Sequence, residues 1–252
     1  MMRFVFAASG SKGNATVFTD GETTFQIDMG ISLKSLNEAL RPLNLNSTQI
    51  EALFITHDHS DHVKGIGLLD KETPLFCTPS SIGEQRVFEY LEPGEGINVG
   101  AFTILPFPVS HDAPNPVNFL ILHGEERFAY ITDTGALSDE ALTLIRNCDY
   151  YLFEANYDPK MLRQSNRPDW LKKRIRGKQG HLSNEKSARY CSMVIGPKTK
   201  AIYLGHISQE CNTPAIALDT YRKVFAKAKV SLEGILLKPT DQFTPVYGGE
   251  EA

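Results

Sequence analysis

Ala52-Leu53-Phe54-Ile55-Thr56-His57-Asp58-His59-Ser60-Asp61-His62 is the stretch that decides how this chain folds and what it can hold. Ala52 to Ile55 is fully apolar, too short for a helix and right for a buried strand. The strand ends where the polar loop begins, which fixes where the loop's side chains start. His57, His59, Asp61 and His62 are strong ligand types for a divalent ion. Alternate side chains of an extended segment share a side, so His57 and His59 can grip one ion. Asp61 and His62 are adjacent, cannot share that direction, and suit a second ion a few ångströms away. Three of the chain's seven histidines fall within these six positions, a clustering that a polar surface loop has no reason to show.

Working outward, one order of residues recurs. His111 stands in Val109-Ser110-His111-Asp112, Asp133 in Ile131-Thr132-Asp133-Thr134-Gly135, and His206 in Tyr203-Leu204-Gly205-His206-Ile207-Ser208. Each follows an apolar run that reads as a strand, and ligands at strand ends can converge on one rim. For any one of them alone, a satisfied structural residue is the better reading. Taken together after the histidine loop, they point to a metal centre. A purely structural site is closed, usually by four ligands on one ion; seven candidates fit an open dinuclear site.

Strands are expected at residues 3–8, at 15–19 and 23–28 as a hairpin about Asp20-Gly21, and near 75–77, 102–107, 117–122, 128–132, 150–153 and 201–204. Leu33, Leu36, Leu40 and Leu43 recur at helical spacing, so a helix is expected over 32–43. Further helices are expected over 80–91, 138–146, 184–194 and 214–228. Two passes of strands with helices imply an α/β (α+β) chain, an αββα sandwich of two mixed sheets with outer helices. No repeat, low-complexity tract or Pro/Gly-rich linker interrupts it, so one domain over residues 1–252 is expected.

The His-x-His-x-Asp-His loop at 57–62, followed by His111, Asp133 and His206, resembles the metallo-β-lactamase superfamily. The resemblance implies a first ion on His57, His59 and His111, a second on Asp61, His62 and His206, and Asp133 bridging both. Asp61 is also expected to serve in catalysis. Asp28, in Ile27-Asp28-Met29-Gly30, matches the family's early aspartate, which orients the ligand loop; from its own residues it reads equally as a turn or helix-entry charge. Two divalent ions, zinc or manganese with iron also accepted by such ligands, supply a hydroxide nucleophile near neutral pH and two Lewis acids. That chemistry serves phosphodiesters, thioesters and lactams alike.

An ordered set of shorter motifs narrows the choice. Ser9-Gly10-Ser11-Lys12-Gly13-Asn14, Asp133-Thr134-Gly135, Phe153-Glu154-Ala155-Asn156, Gly180-His181-Leu182-Ser183-Asn184 and His206-Ile207-Ser208-Gln209-Glu210 are similar to those of the YycJ/WalJ family. The similarity runs from about residue 3 to beyond residue 214. Lys12 departs from the family's small residue, and Tyr157 stands where many members have histidine. The resemblance implies a cytoplasmic 5′-to-3′ exonuclease acting on double-stranded DNA. A looser resemblance to tRNA 3′-processing ribonucleases implies that His181, partnered by Glu154, protonates the leaving oxygen. Read from its residues alone, His181 is equally a helix-entry histidine before a Ser183 cap.

Charge segregation is independent of any resemblance. Residues 160–178 hold eight lysines and arginines against Asp169, a net +7 in a chain of net −4, which leaves the remainder at −11. Lys172, Lys173, Arg174 and Arg176 are the candidate phosphate contacts. Trp170 is expected to tuck into the body rather than to stack on a base. A small neutral ester, thioester or lactone gives no reason to concentrate cations there, which sets that alternative, though not RNA processing, below DNA hydrolysis. Gly10-Ser11-Lys12-Gly13 lacks P-loop spacing and reads as a tight turn. Cys77, Cys148, Cys191 and Cys211 form no C-x-x-C pair, which argues against a zinc ribbon or redox motif. The N-terminal apolar run is too short for a signal peptide and no stretch approaches a membrane span, so a soluble, cytoplasmic chain is expected. Oligomeric state is not legible.

Overall fold

The computed structural model describes residues 1–79 and 88–249. The chain divides into two compact units. Unit one comprises Met1–Pro106, Ala113–Glu126 and Asp241–Ala252; unit two comprises Phe107–Asp112 and Arg127–Thr240. Among the described residues the strands make two mixed sheets accompanied by helices, the make-up of the expected αββα class.

Unit one carries the first sheet. Its strands are β1 (Arg3–Ala8), β2 (Ala15–Thr19), β3 (Thr24–Ile27), β4 (Ala52–Phe54), β5 (Leu75–Cys77), β6 (Glu89–Tyr90) and β14 (Val246–Gly249), in the order β14-β1-β2-β3-β4-β5-β6. β1, β2 and β3 run antiparallel as hairpins, whereas β3 to β6 are parallel. A parallel neighbour needs a crossover. Between β3 and β4 it contains α1 (Leu33–Leu40), capped by the Ser32 side chain, which accepts from the Ser35 amide. Leu36, Ala39 and Leu40 of α1 are buried in one core with Val5, Val17, Leu53 and Leu75. The expected helix over 32–43 tightens into a 3-10 turn at Arg41–Leu43, where Pro42 has no amide hydrogen to continue the α ladder.

The other face of this sheet meets β8 (Phe102–Pro108) and β9 (Val117–His123), which with β7 (Ile97–Val99) belong to the second sheet. Phe25 meets Phe102 edge-on at 5.1 Å, and Phe54 meets Phe119 at 5.9 Å. Each fully buried phenylalanine is worth about 1.5–3 kcal/mol relative to exposure. This aromatic layer therefore anchors β3 and β4, the strands that end in Asp28 and in the histidine loop. Residues 80–87 of the helix expected over 80–91 lie outside the described residues, and Glu89–Tyr90 is strand rather than helix.

Unit two is built on β10 (Glu126–Ile131), β11 (Tyr150–Glu154), β12 (Ala201–Gly205) and β13 (Leu236–Pro239), ordered β13-β12-β11-β10 and all parallel. Ile131 is level with Phe153, and Glu154 with Gly205. Parallel strands in that register deliver Asp133, Glu154 and His206 to one edge. The crossovers run through α3 (Asp139–Leu144), α6 (Asn184–Val194) and α7 (Pro214–Ala228), capped by Ser138, Ser183 and Thr213. Two helices not expected from the pattern, α4 (Pro159–Gln164) and α5 (Asp169–Arg176), precede α6. Each is short and mostly polar; α5 buries Ile175 alone. No helix among the described residues is long and apolar enough to cross a membrane.

Candidate functional site

In unit one the histidine loop is held from three sides by backbone. β4 delivers Thr56, and the loop closes in a short helix, α2 (Ser60–Val63), rather than running extended throughout. The Asp61 carbonyl accepts from the Asn14 amide at 2.8 Å, and the His62 carbonyl from the Met29 amide at 2.7 Å. Gly30 packs so closely on this loop that a Cβ there would lie 1.6 Å from the Asp61 carbonyl oxygen. Any larger residue at position 30 would displace the loop.

Asp28 is the loop's internal partner. It leaves β3 with a positive φ of 58°, a strained backbone for a non-glycine residue, and is fully buried. Its Oδ1 accepts from the Thr56 amide at 2.9 Å and its Oδ2 from His62 Nδ1 at 2.7 Å. A carboxylate only accepts, so the His62 proton sits on Nδ1 and Nε2 keeps its lone pair. Asn14 Nδ2 lies 3.0 Å from that Nε2 and 3.4 Å from Asp61 Oδ2. His57 is buried, and its ring lies 4.6 Å from His59 and 4.1 Å from His62. His57 and His59 offer ring nitrogens within 4.8 Å of each other, as do His57 and His62. Asp28→Asn is expected to lower metal affinity about 10–100-fold, because it misorients His62 and weakens its basicity. Metal titration against a competing chelator measures this, and unchanged affinity would remove Asp28 from the ligand-orienting role.

Unit two gathers a second cluster. Asp133 and His206 also leave their strands with positive φ, 41° and 50°. Asp133, Glu154, His181 and His206 offer ligand atoms within 4.8 Å of one another. His206 Nδ1 lies 2.7 Å from Asp133 Oδ1 and 3.0 Å from Glu154 Oε1. His181 Nδ1 lies 2.7 Å from Glu154 Oε1 and 3.1 Å from Asp133 Oδ1. The other Glu154 oxygen accepts from the Thr134 and Leu182 amides at 3.1 and 3.0 Å. Glu154 is therefore a fully buried anchor with four donors around it. His111 sits nearby with its ring 5.2 Å from that of His181 and its Nδ1 3.1 Å from the Gly180 carbonyl.

Electrostatics follow from that packing. Burial alone would lower the His206 pKa, yet Asp133 and Glu154 overrule it and push it up to about 10. His181 is likewise raised, to about 9, against the pull of burial. Burial would raise Glu154, but the two imidazoles hold it below its ordinary value. Two buried carboxylates thus require positive charge beside them, as protons on imidazole or as a bound cation. Asp133, Glu154, His181 and His206 of unit two suit a divalent ion by this chemistry, and in unit one His57 can offer ring nitrogens alongside His59 or His62.

Asn14, Thr56 and Gly30 were not singled out by sequence reasoning for this site, since small polar residues and glycine carry no metal signal. Glu154 does share the recurring order of apolar strand then ligand type. Tyr157 is buried against Leu162, Ile175 and Cys211.

The basic residues meet different fates. Lys173, Arg174 and Arg176 are exposed and Lys172 partly so. Arg174 is ion-paired with Asp112, and Lys172 Nζ donates to the Arg163 carbonyl at 3.0 Å. A cavity of about 520 Å³ is lined by Ser110, Asp112, Arg174, Gly177, Lys178 and Gln179, so its wall includes both neighbours of His111. Trp170 corrects the expectation from sequence: it is 67% exposed. Helical spacing places it on the face of Lys173 and Arg174 while Ile175 takes the buried side.

Residues 23–207 match the beta-lactamase superfamily domain. The chain is 33% identical over 243 residues to exodeoxyribonuclease WalJ of Streptococcus pneumoniae, covering 91% of this chain and 90% of that protein. It is 32% identical over 228 residues to exodeoxyribonuclease YycJ of Bacillus anthracis, with 86% of each covered. Among solved structures, the metallo-beta-lactamase fold protein YhfI from Bacillus subtilis superposes with a TM-score of 0.74 at 14% identity, over 98% of this chain and 99% of that one.

Proposed function

The chain belongs to the beta-lactamase superfamily and, within it, to the family of WalJ and YycJ, and on that premise we propose that it is a 5′-to-3′ exonuclease on double-stranded DNA. It is a metal-dependent hydrolase. The observation that carries the nucleic-acid reading is the exposed cationic α5, beside a cavity lined by Arg174 and Lys178, in a chain otherwise strongly acidic. A small neutral substrate has no use for that charge; a polyanion does.

The ligand assignment we propose is His57, His59 and His111 for one ion, Asp61, His62 and His206 for the other, and Asp133 common to both. Bound there, the ions supply a hydroxide nucleophile and neutralise charge developing on the phosphate. The chain's own residues position and transfer protons. Asp28 fixes the His62 tautomer. Glu154 holds Nδ1 of His181, which leaves Nε2 as the atom that can pass a proton to the departing oxygen. Lys172, Lys173, Arg174 and Arg176 hold backbone phosphates, Arg174 by exchanging Asp112 for one.

End-labelled single- and double-stranded DNA, with RNA in parallel, tests the reading. Release of mononucleotides from the 5′ end of duplex DNA is expected; preferential cleavage of RNA would move the chain to RNA processing. Alanine at all four basic positions is expected to shrink the log–log salt slope of duplex binding by roughly 0.9 per lost contact. Binding titrations from low to moderate salt measure it. An unchanged slope would return α5 to a solvated surface helix.

A further inference from the structure

Unit one carries a second cationic pocket, built from residues far from α5 in the sequence. Its cavity of about 370 Å³ is lined by Lys12, Lys64, Gln242 and Phe243 with Ser32 and Ser35. Among the described residues, none of its lining side chains is acidic. We propose that this pocket binds one nucleotide of a nucleic-acid strand, its phosphate on Lys12 and Lys64 and its base on the Phe243 ring. The proposal deepens the nuclease reading and rests on it.

The pocket is built by three turns pinned together. Gln242 is buried; its Oε1 accepts from the Lys12 amide at 2.8 Å and its Nε2 donates to the Gly13 carbonyl at 3.0 Å. The Ser9 amide donates to the Asp241 carbonyl at 3.1 Å. Asp241 Oδ1 in turn accepts from the Phe243 and Thr244 amides at 2.7 and 2.8 Å. These bonds pin the turn that carries Phe243, a residue 66% exposed instead of joining the core. Lys12 Nζ stands 5.3 Å from that ring's centroid. Lys64, on the turn after α2, donates one ammonium hydrogen to the Lys12 carbonyl and keeps two for a ligand. Both lysines are exposed, so an arriving phosphate meets ammonium groups without unmaking a buried contact.

The chemistry selects the ligand. Inorganic phosphate would use the lysines and ignore the ring; an apolar ligand would use the ring and strand two cations. A nucleotide uses both, since every base has a π-face and stacks without regard to sequence. The cavity is in the size range of small-molecule sites. Lys64 follows His62 by two positions, so a strand seated here has one phosphate beside the histidine loop.

The experiment uses the full metal-loaded chain and a short phosphorothioate-linked single strand that resists cleavage, with anisotropy read across a salt series. Lys12→Met with Lys64→Met is expected to reduce the salt slope by about 0.7 per lost contact. Phe243→Ala is expected to weaken binding about fivefold or more at every salt concentration without changing the slope, and Phe243→Trp to retain it. If the wild type binds the strand and all these variants match it in affinity and slope, the pocket proposal is overturned while the nuclease reading stands. If the wild type binds neither this strand nor duplex DNA, both fall. Should the lysine variant melt early, the contrast of Phe243→Ala with Phe243→Trp decides, because that exposed side chain carries no core packing.

Discussion

Asp133→Ala is expected to lower phosphodiester hydrolysis by about 10³-fold or more, with His59→Ala close behind. Metal ions in such a site supply both the nucleophile and several kcal/mol of charge stabilisation, and each 1.4 kcal/mol lost is about tenfold in rate. Asp133 is the ligand proposed to serve both ions, so its loss removes more than one coordination bond. The fold should survive. Asp133 and His59 lie beyond strand ends, whereas the core of unit one is Val5, Val17, Leu36, Leu53 and their neighbours. His206 and His181 also keep Glu154 as a partner when Asp133 is gone. Three measurements on one preparation check this: metal content per chain, turnover at saturating metal, and a circular-dichroism melt. Near-normal turnover in Asp133→Ala would overturn the ligand assignment. Outright unfolding would mean that the metal stabilises the fold rather than serving chemistry alone.

Glu154→Ala carries the second large effect, and here stability is the readout. The substitution removes one fully buried acceptor, leaves the Thr134 and Leu182 amides facing an apolar methyl, and leaves His181 and His206 to share Asp133. Breaking a buried charged network by removing one member costs about 3–5 kcal/mol. For a chain of this size that corresponds to a fall in melting temperature of roughly 6–20 °C. Glu154→Gln should lie between, since the amide still offers one acceptor oxygen. His181→Ala is the comparison: its side chain is 18% exposed and water can replace it, so activity should fall far more than stability. Thermal melts of the three variants, with and without metal, separate the roles. If Glu154→Ala melts with the wild type, the network contributes nothing to folding and Glu154 acts in chemistry alone.

Much of this was legible in one dimension because burial direction is written locally. The limits of α6 and α7 coincide with the apolar spacing of residues 184–194 and 214–228, and those of β1, β2 and β5 with short apolar runs between turns. β13 and β14 were not legible. Leu236 is half exposed, and Val246-Tyr247-Gly248-Gly249 has two glycines that weaken any strand signal. β14 exists because β1 offers it a hydrogen-bonding edge, with Arg3 paired to Gly249. α4 and α5 escaped for a related reason: a helix with one buried position has almost no periodicity to read.

The candidate site divides along the same line. The sequence by itself determined where the candidate ligand types stand, since His57, His111, Asp133 and His206 follow apolar runs, with His59, Asp61 and His62 in the loop after His57, and strand ends are where side chains leave a core. The resemblance implied that Asp28 orients the loop and that Glu154 partners His181; only the tertiary structure decided which atoms meet and that Glu154 also faces His206. Asp28 reaches His62 across 34 positions, and Glu154 serves His181 and His206 across 27 and 52. Trp170 lies outside because its helix docks through Ile175 and Leu171 on the opposite side. Periodicity reports whether a residue is buried. The partner of a buried polar group is set by which strands lie side by side and in what register, and that is a property of the whole chain's path rather than of any window of it.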